Sequence, residues 1–233
     1  MTSIAVMQPY FLPYIGYFQL IAAVDKFVVF DDVNFINRGW INRNRLLLNG
    51  AAHTFTVPLR GASQNKLICE IELLDQPDWR NKLLRTIHHA YGKAPCYAHV
   101  SGLLESVVNY SSTRLDEFLL YSIREVVAYL AMEVEIADTS RIYQNAHLKG
   151  QERILDICRQ ERADIYVNSI GGVDLYDRAA FSQHGLTLHF LRSRSIGYSQ
   201  GKAGQVAGLS MLDVLMFNEP EAVRRLLAEY DLT

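Results

Sequence analysis

A chain of 233 residues that is 49% hydrophobic and 21% charged is too apolar for disorder and long enough to bury a sizeable core. Its 23 Lys and Arg stand against 25 Asp and Glu, a net charge of −2, which excludes a general basic field for nucleic acid or an anionic membrane. Cys69, Cys96 and Cys158 are odd in number and far apart, so they suggest neither a disulfide framework nor a metal pair, and the expected compartment is the reducing cytoplasm.

The expected elements follow in chain order. Residues 3–7 are an apolar run that reads as a buried strand. A loop with prolines at both ends leads to helical spacing over 14–24, then to a second strand over 26–30 ending in Asp31-Asp32. Together they have the length of a parallel βαβ unit. The apolar stretch 11–24 is too short, and too interrupted by Pro13, Gly16 and Gln19, to span a bilayer. Residues 45–48 and 54–59 flank Asn49-Gly50 and predict a hairpin. Residues 67–73 alternate as a further strand. From about 77 to 130 the pattern is helical, with Asp78 as an expected cap. Strands are then expected at 134–136, 164–167 and 186–191, and helices at 151–159, 174–183, 209–217 and 220–228. The fold class is therefore α/β, Rossmann-like, with a mainly parallel sheet covered on both faces. One domain over 1–233 with a helical insertion is expected.

Ligands of such sheets bind at the carboxyl ends of the strands. The loops there hold most of the candidate residues. The first carries Gln8, Tyr10, Tyr14, Gly16 and Tyr17. Tyr14-Ile15-Gly16-Tyr17 is similar to the His-x-Gly-His helix start of nucleotidyltransferases, with tyrosine in both histidine places. Tyrosine donates to an anion but carries no positive charge at neutral pH. The second loop carries Asp31 and Asp32, which suit a cation or a proton-accepting role, followed by Asn34, Arg38, Trp40, Asn42, Arg43, Asn44 and Arg45. Arginines there suit phosphate or carboxylate, and Trp40 suits a stacked ring. A turn capped by aspartate and a solvated basic loop would have the same composition. Ser169, Gly171, Gly172 and Tyr176 follow a third strand, and Tyr198 and Gln200 a fourth. Four separate solvated loops would look alike in composition, but their common position after strands points to one shared site. His88 and His89 point about 100° apart on a helix, so at most one serves a site, beside Tyr91. No zinc spacing, Walker A, G-x-S-x-G or G-x-G-x-x-G occurs, and no metal site is expected. Thirteen tyrosines against ten phenylalanines suggest that several hydroxyls face one polar cleft.

The run 7–21, the segments 24–27, 30–35 and 38–44, Asn168-Ser169-Ile170-Gly171-Gly172 with Leu175-Tyr176-Asp177, and 209–216 together resemble the WbqC-like family. The resemblance implies a place in bacterial O-antigen or other surface-polysaccharide synthesis, with a glycine-transferase label attached to some members. In that setting the expected activity is acyl or aminoacyl (glycyl) transfer to a nucleotide-linked amino sugar. Arg38, Arg43 and Lys66 would hold phosphate, Asp32 or His88 would take a proton, and Gln8, Tyr14 and Tyr17 would form the pocket floor. Two alternatives stay open. One is carboxylate activation with ATP and Mg²⁺, using the first loop and residues 195–202. The other is a non-catalytic pathway partner. The expected partner is a small molecule, a nucleotide sugar, with no nucleic acid and no membrane anchor; a homo-oligomer is compatible.

Overall fold

The computed structural model describes residues 1–74, 76–201 and 204–233. The first apolar run forms β1 (Ser3–Met7), whose inner three residues are buried. It leads through a loop into α1 (Ile15–Ala22) and then β2 (Lys26–Val29). Asn49 and Gly50 both take positive φ, 52° and 76°, and join β3 (Arg43–Leu48) to β4 (Ala51–Thr56). That is the sense of twist a tight hairpin needs. A short pair, β5 (Leu59–Arg60) and β6 (Glu72–Leu73), precedes three helices: α2 (Pro77–Tyr91), α3 (Tyr97–Val108) and α4 (Leu115–Tyr129). The chain continues through β7 (Glu135–Ala137), α5 (Gly150–Gln160), β8 (Ile165–Ser169) and α6 (Arg178–Gln183). It ends in β9 (Thr187–Ser193), α7 (Met211–Phe217), α8 (Pro220–Leu227) and β10 (Tyr230–Leu232).

The main sheet has the order β10-β9-β8-β1-β2-β7. All neighbours in it are parallel except β10, which runs antiparallel to β9. The expected βαβ unit is present, with Met7 opposite Val29 across β1 and β2. Strand alternation divides the apolar residues between two layers. Ile4, Val6, Val28, Tyr166, Leu188 and Phe190 pack with Ile154 and Ile157 of α5 and Phe181 of α6. Ala5, Phe27, Val29, Val167 and Leu191 join Phe18 of α1, Phe118 of α4, Leu215 of α7 and Val223 of α8. Helices therefore cover both faces, and the fold is α/β as expected. Gln19 of α1 is fully buried and donates to Leu226 O (3.0 Å) and Glu229 O (2.9 Å), fastening the first helix to the last.

Four local expectations are corrected. Residues 67–73 do not form one strand: Ile68–Glu70 is a 3₁₀ turn and only Glu72–Leu73 pairs. The Glu70 carboxylate accepts the Leu67 N–H at 2.9 Å and bends the chain there. The helix expected over 174–183 begins only at Arg178, because the Asp177 carboxylate caps it through the Ala179 N–H (2.9 Å) and a 3₁₀ turn, Ile170–Leu175, comes before. Asp78 lies within the first turn of α2, whose capping position is Gln76. The edge strand β10 was not expected; its three residues earn strand geometry only by pairing with β9.

The open space around Gly50 isolates the cost of its backbone. A Cβ there would meet nothing within 4 Å. Gly50→Ala should lower stability by about 1 kcal/mol through left-handed strain alone, read as a lower urea midpoint with an unchanged slope.

Candidate functional site

Because β1, β2, β8 and β9 are parallel, the loops that follow them leave the same edge of the sheet. The chain moves outward from β1 through β2 to β7, then returns to β8 on the other side of β1. The β1/β8 boundary is thus the point where strand order reverses, the usual place for a ligand in an open α/β sheet.

The first loop is held by its backbone. Asn44 Nδ2 donates to Leu12 O (2.7 Å), Ser210 Oγ donates to the same carbonyl (2.6 Å), and Met211 N–H donates to Pro13 O (2.8 Å). Tyr14 occupies the capping position of α1 and is partly exposed. A Cβ on Gly16 would lie 2.5 Å from Tyr14 Cε2, so glycine lets that ring fold across the helix start. Tyr17 is buried against Tyr10 and Phe27, and its hydroxyl donates to Gln8 O at 2.9 Å. Burial raises the Tyr17 pKa well above the ordinary value. Its hydroxyl is committed to the protein, unlike those of Tyr10 and Tyr14.

The two aspartates of the second loop face inward. Asp31 accepts from Thr139 Oγ1 (2.8 Å) and the Ser140 N–H (3.1 Å), with Arg141 Nη2 at 3.2 Å. Burial raises its pKa despite these partners. Asp32 accepts from Ser140 Oγ and pairs with Arg153, which also donates to Asp32 O (3.2 Å). Each Asp32 carboxylate oxygen thus already has a protein donor, although the residue borders the cavity on the β2 side. The neighbouring Cys69 thiol is pushed up to about 11, by burial first and then by the charge of Asp31. His88 is exposed on α2 and its Nδ1 lies 2.9 Å from the Tyr97 hydroxyl. Asn34 and Asn42 support the backbone, donating to Gln64 O (2.7 Å) and Val57 O (2.8 Å). Arg38 and Lys66 are exposed. Arg43 and Arg45 instead lie against Trp40, at 5.5 and 5.2 Å from its ring centre.

After β8, the buried Asn168 amide donates to Tyr166 Oη (3.1 Å) and accepts the Ser169 N–H (2.7 Å). A Cβ on Gly172 would press on that amide at 3.2 Å, whereas Gly171 is exposed. After β9, Tyr198 and Gln200 converge on Asp213 at the start of α7. Tyr198 Oη and Gln200 Nε2 donate to its Oδ2 (2.7 and 2.8 Å), and Tyr91 Oη donates to its Oδ1 (2.7 Å). Tyr91 in turn accepts the Leu47 N–H at 2.8 Å. Asp213 is fully buried, and no cation pairs with it among the described residues. Burial raises its pKa and those of Tyr91 and Tyr198.

Three hollows open at this edge. A cavity of about 490 Å³ lies between the start of α1 and the loop after β9, lined by Tyr14, Ile15, Ser193, Arg194, Tyr198 and Gln200 among others. A second, of about 520 Å³, lies on the β2 side and is lined in part by Asp32, Asn34, Lys149, Arg153 and Tyr176. A small hollow of about 140 Å³ is bounded by Tyr10, Tyr14, Trp40, Asn44, Arg45 and Gly208, with Pro13. The candidate residues are thus distributed: Tyr17, Tyr91, His88, Arg38 and Lys66 line none of the three. Lys202, expected in the loop after β9, lies outside the described residues. Asp213, Lys149 and Arg153 were missed, whereas Arg45 belonged to the basic stretch read from the sequence. Asp213 sits in an apolar helical run, where an acid in the first turn reads as a dipole partner.

The profile of the WbqC-like protein family matches residues 8–225, and the chain belongs to that family. It is 27% identical over 220 residues to the uncharacterized protein Rv1507c of Mycobacterium tuberculosis, covering 94% of each chain. No solved structure matches it. Among the described residues, no helix is long and apolar enough to cross a membrane, and no three His, Cys, Asp or Glu are placed to hold a metal.

Two variants test the buried carboxylates. Asp32→Ala leaves Arg153, 5% exposed, without its partner; the expected loss is about 3–5 kcal/mol by chemical denaturation, and Asp32→Ala combined with Arg153→Met should recover much of it. For Asp213 the folded pKa is raised, so the folded protein holds that proton more tightly than the unfolded chain. Its contribution is most favourable below the ordinary carboxylate pKa and declines as pH rises through the raised value. Asp213→Asn should therefore gain on the wild type as pH rises from about 4, in paired thermal melts across pH; a variant-minus-wild-type difference that falls or stays flat contradicts the assignment.

Proposed function

We propose that the protein is a cytoplasmic transferase of bacterial surface-polysaccharide synthesis, moving an acyl or aminoacyl (glycyl) group onto a nucleotide-linked amino sugar. The observation that carries this reading is the cavity of about 490 Å³ between α1 and the loop after β9. It lies beside the strand-order reversal and has the size of a small-molecule site. At its rim lies the N-terminus of α1, whose positive dipole end favours an anionic group there although the Tyr17 N–H is taken by Tyr14 O (3.0 Å). The remaining lining offers hydroxyls and amides from Tyr14, Ser193, Ser195 and Gln205 beside the apolar Ile15, Ile196 and Val214. That mixture suits a sugar ring and its linkage. Family membership supports the pathway, and the transferred group is inferred from it.

The same placement favours one alternative. Tyr14-Ile15-Gly16-Tyr17 begins a helix that faces the loop after β9, as a site activating a carboxylate with ATP and Mg²⁺ would require. Against it, the Tyr17 hydroxyl is committed to Gln8 O.

Thermal melting with nucleotide sugars, ATP–Mg²⁺ and acyl or aminoacyl donors separates the two. A nucleotide sugar at 100 times its Kd should stabilise the protein by about 2.7 kcal/mol. Gly16→Ala must push the partly exposed Tyr14 ring aside, so it should weaken that response while leaving the unliganded melting temperature within a few degrees. A response to ATP–Mg²⁺ alone favours the alternative, and no response to any nucleotide overturns both.

A further inference from the structure

The small hollow beside Trp40 has a composition that the protein itself does not balance. Arg43 and Arg45 share the Trp40 ring, and their protein acceptors are carbonyls: Arg43 Nε donates to Gly39 O and Arg45 Nη2 to Gly208 O, each at 2.8 Å. Among the described residues neither guanidinium has a carboxylate partner. Arg45 Nε is buried with no acceptor at all. A buried charged donor without a partner is costly, and other arginines near this edge do have one: Arg141 and Arg153 pair with Asp31 and Asp32, and Arg194 with Asp231. Tyr10 and Tyr14 border the same hollow, and among the described residues their hydroxyls take part in no hydrogen bond. No acidic side chain lines it.

Gly208 fixes the arrangement. Its φ is +67°, and a Cβ there would lie 2.6 Å from Arg45 Nη2, so a larger residue would drive the guanidinium out. The hollow, about 140 Å³, is too small for a nucleoside but shares Tyr14 and Gly208 with the cavity of about 490 Å³. Compact, donor-rich and cationic, it matches an oxyanion carried by a larger molecule.

We propose that this hollow is a phosphate subsite in which Arg45 binds the phosphate end of a ligand whose remainder occupies the adjoining cavity, with Arg43 adding positive charge from across the Trp40 ring. Trp40 is the platform that holds the two guanidinium groups side by side. The subsite rests on the proposed function only for the identity of that remainder.

Inorganic pyrophosphate is the probe. The wild type should bind it saturably by calorimetry and show a change in tryptophan emission, since the guanidinium groups shift against Trp40. Arg45→Met should weaken binding at least tenfold. Gly208→Ala, which displaces the same guanidinium, should weaken it in the same direction, so a folding defect in one variant leaves the other to decide. Trp40→Phe should lose the emission change. No binding by the wild type, or equal binding by folded Arg45→Met or Gly208→Ala, overturns the proposal. If nucleotide sugars bind the wild type and Arg45→Met equally, the subsite fails and the transferase reading stands. If pyrophosphate binds through Arg45 and no nucleotide or nucleotide sugar binds, the subsite stands and the transferase reading fails.

Discussion

The Asp213 carboxylate is out of reach of water, and three neutral donors, not a cation, offset its charge. Each donor belongs to a different piece of the molecule or ties one down. Tyr91 brings in α2 and, through the Leu47 N–H, the hairpin strand β3. Tyr198 and Gln200 bring in the loop after β9, and Gln200 Oε1 also accepts the Val206 N–H at 2.7 Å. Hydrogen bonds to a buried charge are worth more than neutral ones, and losing any of them exposes the full desolvation cost of the charge. The wall of the cavity beside α1 therefore depends on a residue that does not line it.

Asp31 and Asp32 make a comparable junction on the other side of β1. Their partners, Thr139, Ser140 and Arg141, come from the turn after β7, and Arg153 comes from α5. Arg141 also reaches Asp116 at the start of α4 (3.1 Å), tying the three-helix segment to the sheet edge. Two acids at a strand end thus serve as fasteners between layers.

The frame of the fold was legible because it rests on local signals. Continuous apolar runs mark β1, β2 and β8, and Asn49-Gly50 demands a hairpin whatever surrounds it. The stretches that were misread are decided by distant partners. Ile68, Ile71 and Leu73 are all buried, yet the Glu70 side chain and the Asp31 and Val33 carbonyls set a turn there. The edge strand β10 exists only against β9. The site was legible as a set of loops on one edge, and less so by residue. Excess tyrosine suggested hydroxyls in one cleft, but Tyr17 and Tyr91 turn theirs toward interior acceptors. A residue count records how many hydroxyls need partners and not whether those partners are protein or ligand.

The position of β1 has a consequence for how the chain assembles in time. One side of this central strand is completed by β2, a short way along the chain, and the other by β8, with Ser3 opposite Ile165. During synthesis the β1–α1–β2 unit emerges early, with one edge of its middle strand unpaired. That edge stays open while the hairpins and three helices are made, until residue 165 arrives. Gln19 waits longer still, for acceptors at Leu226 and Glu229. Such distant pairings slow folding, and an open apolar strand edge invites pairing with another chain. The long stretch of chain between β2 and β8 thus sets the interval over which the nascent protein is most exposed to aggregation.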